Sequence, residues 1–270
     1  WHYIVKRSLI NNKKLYFVDV KNGEDEEFGV RLLCSIKLIS LYKKNYYWHK
    51  TRREGSLRYS RDKKSTESYL KILVEYYKFI SKTPLSYDKK VFINKCINFA
   101  YGEISARIIL HNKAEIKKLS FKLKKYLGES KISLNKIKNK NINSLLKNKN
   151  ILQHTNLISK NILNKIIKTK FKYSEIYIYC AAAHGVATLN ILQKNKLKVT
   201  SLIDDNVDIE KQTLVNVDII SGKTFLGIKK EERSKILILV CQQTVKTFDI
   251  ITKKLKLKGI NSNQIIHVMY

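Results

Sequence analysis

The chain has 270 residues of which 44% are hydrophobic, enough for two modest domains that each bury a core, and this excludes disorder throughout. A formal charge of +32, from 54 Lys and Arg against 22 Asp and Glu, would by itself suggest a polyanion partner. The basic residues are mostly Lys, set among abundant Asn, Ile and Tyr with a single Pro, as AT-rich coding produces. The charge is therefore read as a solvated or membrane-facing surface, and nucleic acid is not the expected partner.

In chain order, residues 1 to about 62 alternate short apolar runs with charged turns: Tyr3-Ile4-Val5, Leu15-Tyr16-Phe17-Val18, a helix from Glu26 to Ser35, and a Tyr-rich stretch from Ile36 to Trp48 read as strand. From Ser65 the spacing of Tyr69, Ile72, Leu73, Tyr76 and Phe79 predicts a helix closed by Pro84. A second helix follows from Lys89 to His111, with Val91, Cys96, Phe99, Ala100, Ile104 and Ile108 inward. A third runs from Lys113 to Leu127, with Gly128 as its stop. These apolar stripes are assigned to the core.

Residues 128–170 are rich in Lys, Asn, Ile and Leu. Asn is a poor helix former and the charge is nearly all of one sign, so this stretch is read as a linker with helical pieces. The alternative is a basic helix lying on anionic lipid. Beyond it, strand Glu175–Cys180, helix His184–Lys194, strand Lys198–Ile203 ending in Asp204-Asp205, strand Lys235–Val240, helix Thr244–Lys258 and strand Gln264–Val268 alternate. Alternating units with continuous apolar strands predict an α/β domain with a parallel sheet covered on both faces. The expected domains are thus 1–127, a linker 128–170, and 171–270.

Cys34, Cys96, Cys180 and Cys241 form no C-x-x-C pair, so neither a zinc site nor a disulfide framework is expected, and a reducing cytoplasm fits. No run approaches the ~18 apolar residues of a membrane helix, and the start lacks a signal-peptide pattern. The expectation is a cytoplasmic chain, soluble or peripheral on the inner membrane face. Trp1-His2-Tyr3 lacks an initiating Met and reads as mid-domain sequence, so a fragment of a longer protein is expected.

Two resemblances carry the functional expectation. Trp1 to Ile10, Phe17, Gly23-Glu24-Asp25-Glu26-Glu27-Phe28, Tyr46-Tyr47-Trp48-His49 and Gly55-Ser56-Leu57 resemble, in order and spacing, the acceptor side of bacterial family 2 (GT-A type) glycosyltransferases. The resemblance implies a partial GT-A region with a helical extension to about residue 127. It implies transfer of a sugar, with inversion of stereochemistry, from a nucleotide-sugar donor to a glycan or lipid-linked acceptor in surface polysaccharide synthesis. Such a reaction needs a carboxylate to take the proton of the attacking hydroxyl on the face opposite the leaving diphosphate. By resemblance that base is Asp25, with Glu24 in support. His49 is implied as a diphosphate contact or an additional metal ligand, Arg52 and Arg53 on the following loop as phosphate contacts, and Trp1 as a core residue or a lining of the acceptor pocket. A divalent Mg or Mn is implied as well, with its Asp-x-Asp ligands upstream of this chain.

Tyr177 to Gly185 and Leu202-Ile203-Asp204-Asp205-Asn206 resemble the small Rossmann-like domain of PglD-type sugar acetyltransferases and of sugar C-methyltransferase C-termini. That resemblance implies ligand contacts at His184, Gly185 and Asp204. Ala181 and Ala183 put methyl groups where glycines would admit a pyrophosphate, so NAD is not expected to bind. The alternative to a transferase is a non-catalytic nucleotide- or sugar-binding α/β module. A basic nucleic-acid binder would need aromatics interleaved with Lys and Arg on an exposed platform.

Overall fold

The fold was obtained as a computed structural model, which describes residues 4–37, 40, 62–132, 139–148, 151–205, 213–214 and 216–270. Most of the expected Ile36–Trp48 strand lies outside these residues. The chain divides into two compact units, one made of residues 1–104 and 114–150, the other of 105–113 and 151–270.

The described part of the first unit is helical. Helix α2 (Glu24–Ser35) is the expected helix, begun two residues earlier, whereas α1 (Arg7–Lys13) was not expected and the described residues of the apolar runs before Asp19 form no strand. Leu15, Phe28 and Leu32 form a small core flanked by Val5, Leu9, Ile10 and Ile36, and Phe17 stacks on Phe28 at 4.4 Å. Apolar groups on two short helices satisfy each other here without a sheet.

Helix α3 (Lys63–Lys82) begins with Asp62, whose side chain accepts from Ser65 N at 2.7 Å. Its inward face includes the expected Tyr69, Ile72, Leu73 and Tyr76. Ser68 Oγ accepts from Lys21 N at 3.0 Å and Asn22 N at 3.3 Å, tying the α1–α2 connection to α3. At the other end of α2, Lys89 Nζ donates to Cys34 O and Ile36 O, satisfying helix-terminal carbonyls.

Helix α4 (Tyr87–Ile108) turns only part of the expected face inward, with Ala100, Ile104 and Ile108 buried as expected. Ile93, Ile97, Ala100, Ile104 and Ile108 are buried, whereas Val91 and Phe99 are exposed. The Ile and Ala positions follow i+4, i+3, i+4, i+4, and Val91 and Phe99 fall off that stripe. Helix α5 (Lys113–Ser130) runs past Gly128; it ends where Lys131 takes a left-handed φ of 51°, leaving Leu127 and Ser130 buried in the last turn. Helix α6 (Lys140–Asn148) buries Ile142, Leu145 and Leu146.

The second unit takes in the later part of the stretch expected as a linker with helical pieces. Residues Ile151–Lys170 form a 20-residue helix, α7, that buries Ile151, His154, Thr155, Ile158, Ile162 and Ile166. One apolar stripe packed against protein outweighs the poor helix propensity of Asn. The sheet holds β1 (Glu175–Tyr179), β2 (Ser201–Ile203), β3 (Thr213–Leu214), β4 (Val217–Ile220), β5 (Ile236–Val240) and β6 (Ile265–His267). Its order is β3-β4-β2-β1-β5-β6, with β3 antiparallel to β4 and the other five strands parallel.

Helices α8 (Ala183–Lys194), α9 (Gly222–Leu226), α10 (Lys230–Arg233) and α11 (Val245–Lys256) complete the unit. Tyr177, Tyr179, Ile236, Ile238 and Val240 pack with Phe225, Ile251 and Leu255 on one face, while Ile178 faces α8 on the other. Every residue of β5 is buried, as a parallel strand covered on both sides requires. Among the described residues no helix is long and apolar enough to cross a membrane.

Candidate functional site

Counting only parallel strands along the chain, the sheet order is third, second, first, fourth, fifth. The connections therefore reverse direction between β1 and β5, and in open parallel sheets ligands bind outside the strand C-termini at such a reversal. The described residues directly after β1, β2 and β5 lie along this rim.

The β1–α8 turn is held from both sides. Cys180 N donates to Ile203 O at 2.7 Å, and Ala181 N donates to Asp204 Oδ2 at 2.9 Å. Asp204 thus joins the end of β2 to the start of the turn. Cys180 has φ 93°, a conformation that an L-residue rarely adopts. A Cβ on Gly185 would lie 1.7 Å from Cys180 O, so the first turn of α8 rests directly on the strand end. The positions that demand glycine by geometry are therefore Cys180, by backbone conformation, and Gly185, by close approach. Ala181 is buried and Ala183 is the first residue of α8.

His184 lies in the interior instead of on the rim. Its ring meets Tyr270 edge-on at 5.1 Å, and its carbonyl accepts from Thr188 Oγ1 and the Tyr270 hydroxyl, both at 3.0 Å. Burial, reinforced by the Arg107 charge, pushes its pKa down to about 3, so the imidazole is neutral at physiological pH.

Sequence reasoning passed over the role of Asp205. Its carboxylate accepts from the Tyr179 hydroxyl at 2.7 Å and from Lys254 Nζ at 2.9 Å, linking β1, the end of β2 and α11. Burial raises its pKa, but the Tyr179 hydroxyl, Lys254 and the Gly222 backbone more than offset this and leave it below the usual aspartate value. The tandem Asp after a strand was the available signal; its neighbours come from distant parts of the chain. Across the reversal, His267 Nε2 lies 2.7 Å from Gln242 O with its ring stacked on Phe248 at 4.1 Å.

In the first unit, Glu24 and Asp25 open α2. Gly23 precedes them at φ 79°, where a Cβ would come within 2.8 Å of Ile72 Cδ1. Asp25 is exposed, and its Oδ1 accepts from Glu26 N at 2.8 Å. Four acidic residues in this first turn suit the positive end of the helix dipole. Two residues on, Glu27 is fully buried and holds Arg31, whose Nη2 lies 2.6 Å from Glu27 Oε2 and also 2.6 Å from Tyr16 O. Burial raises the Glu27 pKa despite that guanidinium. The helix that presents Asp25 is thus anchored just behind it.

Trp1, His49, Arg52 and Arg53 lie outside the described residues, so the acceptor-side grouping is represented here by Glu24 and Asp25 alone. Among the described residues no group of three or more His, Cys, Asp or Glu is placed to hold a metal ion. No protein-family model, curated protein or solved structure matches the chain.

Proposed function

We propose that the chain is the acceptor-side part of a GT-A type glycosyltransferase, with Asp25 as the base that accepts the proton of an attacking sugar hydroxyl. The observation that carries this reading is the start of α2. An exposed carboxylate stands at a helix N-terminus, behind a left-handed Gly23 and ahead of the buried Glu27–Arg31 pair. Anchored in this way, the carboxylate meets an approaching hydroxyl without first being ordered. Glu24 supports it from the adjacent position. A nucleotide-sugar supplies the glycosyl group, and a glycan or lipid-linked sugar accepts it.

The test uses a polypeptide that also carries the donor-side half implied upstream of Trp1. Asp25→Asn lowers glycosyl transfer by ~10²- to 10⁴-fold with donor affinity nearly unchanged. Glu24→Gln costs less. Normal turnover in Asp25→Asn would reduce this residue to a helix-start carboxylate and end the catalytic assignment.

A second reading concerns the α/β unit, taken as a Rossmann-like module that binds a nucleotide- or sugar-derived ligand at the reversal point. Asp204, fixed beside the β1–α8 turn through Ala181 N, supports it, because a carboxylate there is placed to accept from ligand hydroxyls. Titration calorimetry with UDP-glucose checks this reading. Heat that persists undiminished in Asp204→Ala would remove Asp204 from the site.

A further inference from the structure

We propose that the exposed face of α5 is a docking surface for an anionic lipid bilayer, with Phe121 entering the headgroup layer between four lysines. The inference goes beyond glycosyl transfer and does not depend on it. Phe121 is 68% exposed in mid-helix. Lys117 and Lys118 precede it by four and three residues, Lys124 and Lys125 follow by three and four, and all four are exposed. On a helix these offsets place the five side chains on one patch about 12 Å long. The opposite face is occupied, since Ile116, Leu119, Leu123 and Leu127 are buried. The helix cannot rotate Phe121 inward without exposing them.

Beside this patch lies a hollow of about 360 Å³ lined by Lys63, Lys117, Lys118, Lys122, Phe121 and Glu67. Glu67 is its one acid, and it is engaged by the Tyr126 hydroxyl at 2.6 Å and Lys122 at 3.1 Å. The hollow is thus framed by four lysines against one engaged acid, with Leu119 and Phe121 as its apolar lining. Lysine clusters of this kind are attracted to anionic leaflets, and an aromatic ring at their centre adds apolar insertion.

Nucleic acid fits less well. The patch offers strongly hydrated ammonium groups without an arginine fork, and a lone Phe without the succession of rings that stacks bases. The overall charge of +32 does not explain the arrangement either, because it does not place an exposed Phe inside a lysine frame.

The experiment measures co-sedimentation of the full chain with vesicles of phosphatidylcholine alone and with about 30% phosphatidylglycerol. The expected result is binding to the anionic vesicles only, weakening as salt rises. Replacing Lys117, Lys118, Lys124 and Lys125 with Gln should weaken it by at least about 100-fold, since each lysine near such a surface contributes roughly fivefold. Phe121→Ser should weaken it about tenfold while keeping the salt dependence. The control replaces Lys160, Lys168, Lys246 and Lys253, four exposed lysines of the other unit, with Gln, an identical change in net charge. Circular dichroism establishes that each variant is folded. The proposal is overturned if the control loses as much binding as the α5 variant, if neutral vesicles bind equally, or if the α5 variant loses affinity for duplex RNA and keeps it for vesicles.

Discussion

Gly185→Ala pits two opposing effects against each other. Helix propensity alone favours Ala over Gly by up to ~1 kcal/mol. The structure predicts the opposite sign, because the added Cβ would stand 1.7 Å from Cys180 O and 2.9 Å from Cys180 C. That contact must open by about 1.3 Å to reach even 3.0 Å, and the atom met is backbone, which cannot swing aside as a side-chain end does. Relief comes only by lifting α8 off β1. A radial gap of 0.5 to about 1 Å already forfeits a quarter to a half of each dispersion contact, and Val186 and Leu189 are buried in that helix. Overpacking of this kind costs about 1–3 kcal/mol, and the backbone contact puts this site at the upper end, so that after the propensity gain a net loss of up to about 2 kcal/mol remains. For a unit of this size that is a drop in Tm of roughly 6–8 °C. Thermal and urea unfolding of the full chain, followed by far-UV circular dichroism, measure it. A variant as stable as the parent, or more so, would refute the close-approach argument.

Cys180→Gly should be neutral or stabilising by up to ~1 kcal/mol, because the relief of φ 93° and the entropy cost of Gly nearly cancel; a loss above ~2 kcal/mol in urea unfolding would mean that the thiol's packing outweighs its backbone strain. Arg31→Met leaves the buried Glu27 without its guanidinium and should cost about 3–5 kcal/mol, most of it recovered in the Glu27→Gln/Arg31→Met double variant; a cost below ~1 kcal/mol would contradict the buried-pair reading. Because the Glu27 pKa is raised on folding, its burial penalty eases as pH falls through the folded value, and Glu27→Gln should remove that component from a pH–stability profile. Asp205 has the opposite sign. Its folded pKa is depressed, so its contribution is present above the ordinary aspartate value near 3.8 and is lost as pH falls through the lower folded value; Asp205→Asn should flatten acid unfolding in that window, and an unchanged profile would dismiss the Tyr179–Asp205–Lys254 link as a source of stability.

Much of the α/β unit was legible because its strands are uninterrupted apolar runs with helical spacing between them, as in Ile236–Val240 followed by α11. The strand β4 was not, since Asp218 breaks its run and only pairing with β2 through Leu202 and Ile219 makes it a strand. Helix α7 was hidden by composition. Asn and Lys dominate its outer side, and the Ile stripe that decides its fate matters only once there is protein to bury it. In α4, apolar residues on several sides offered more than one stripe leading to Ala100, Ile104 and Ile108, and tertiary packing chose Ile93 and Ile97 over Val91 and Phe99. At the rim, the sequence pointed to Asp204 correctly as a residue at the end of β2. It could not tell a rim histidine from a core one, because the residues that enclose His184, Arg107 and Tyr270, lie far away in the chain.

The split makeup of the second unit bears on how the chain comes off the ribosome. Its segment Ser105–Lys113, with Ala106, Ile108 and Ile109 buried, is translated long before the sheet it belongs with. Asn190 Nδ2, which donates to Ile109 O at 3.2 Å, follows 81 residues later, and the edge strand β6 comes later still. At ordinary synthesis rates the 157 residues between Lys113 and Tyr270 take roughly 8 to 30 s to emerge, and for that time those apolar side chains have no partners. A nascent chain stalled or cleaved in that interval presents a sticky helix end to chaperones and to other nascent chains, so early termination products should aggregate even though the finished chain buries the same residues.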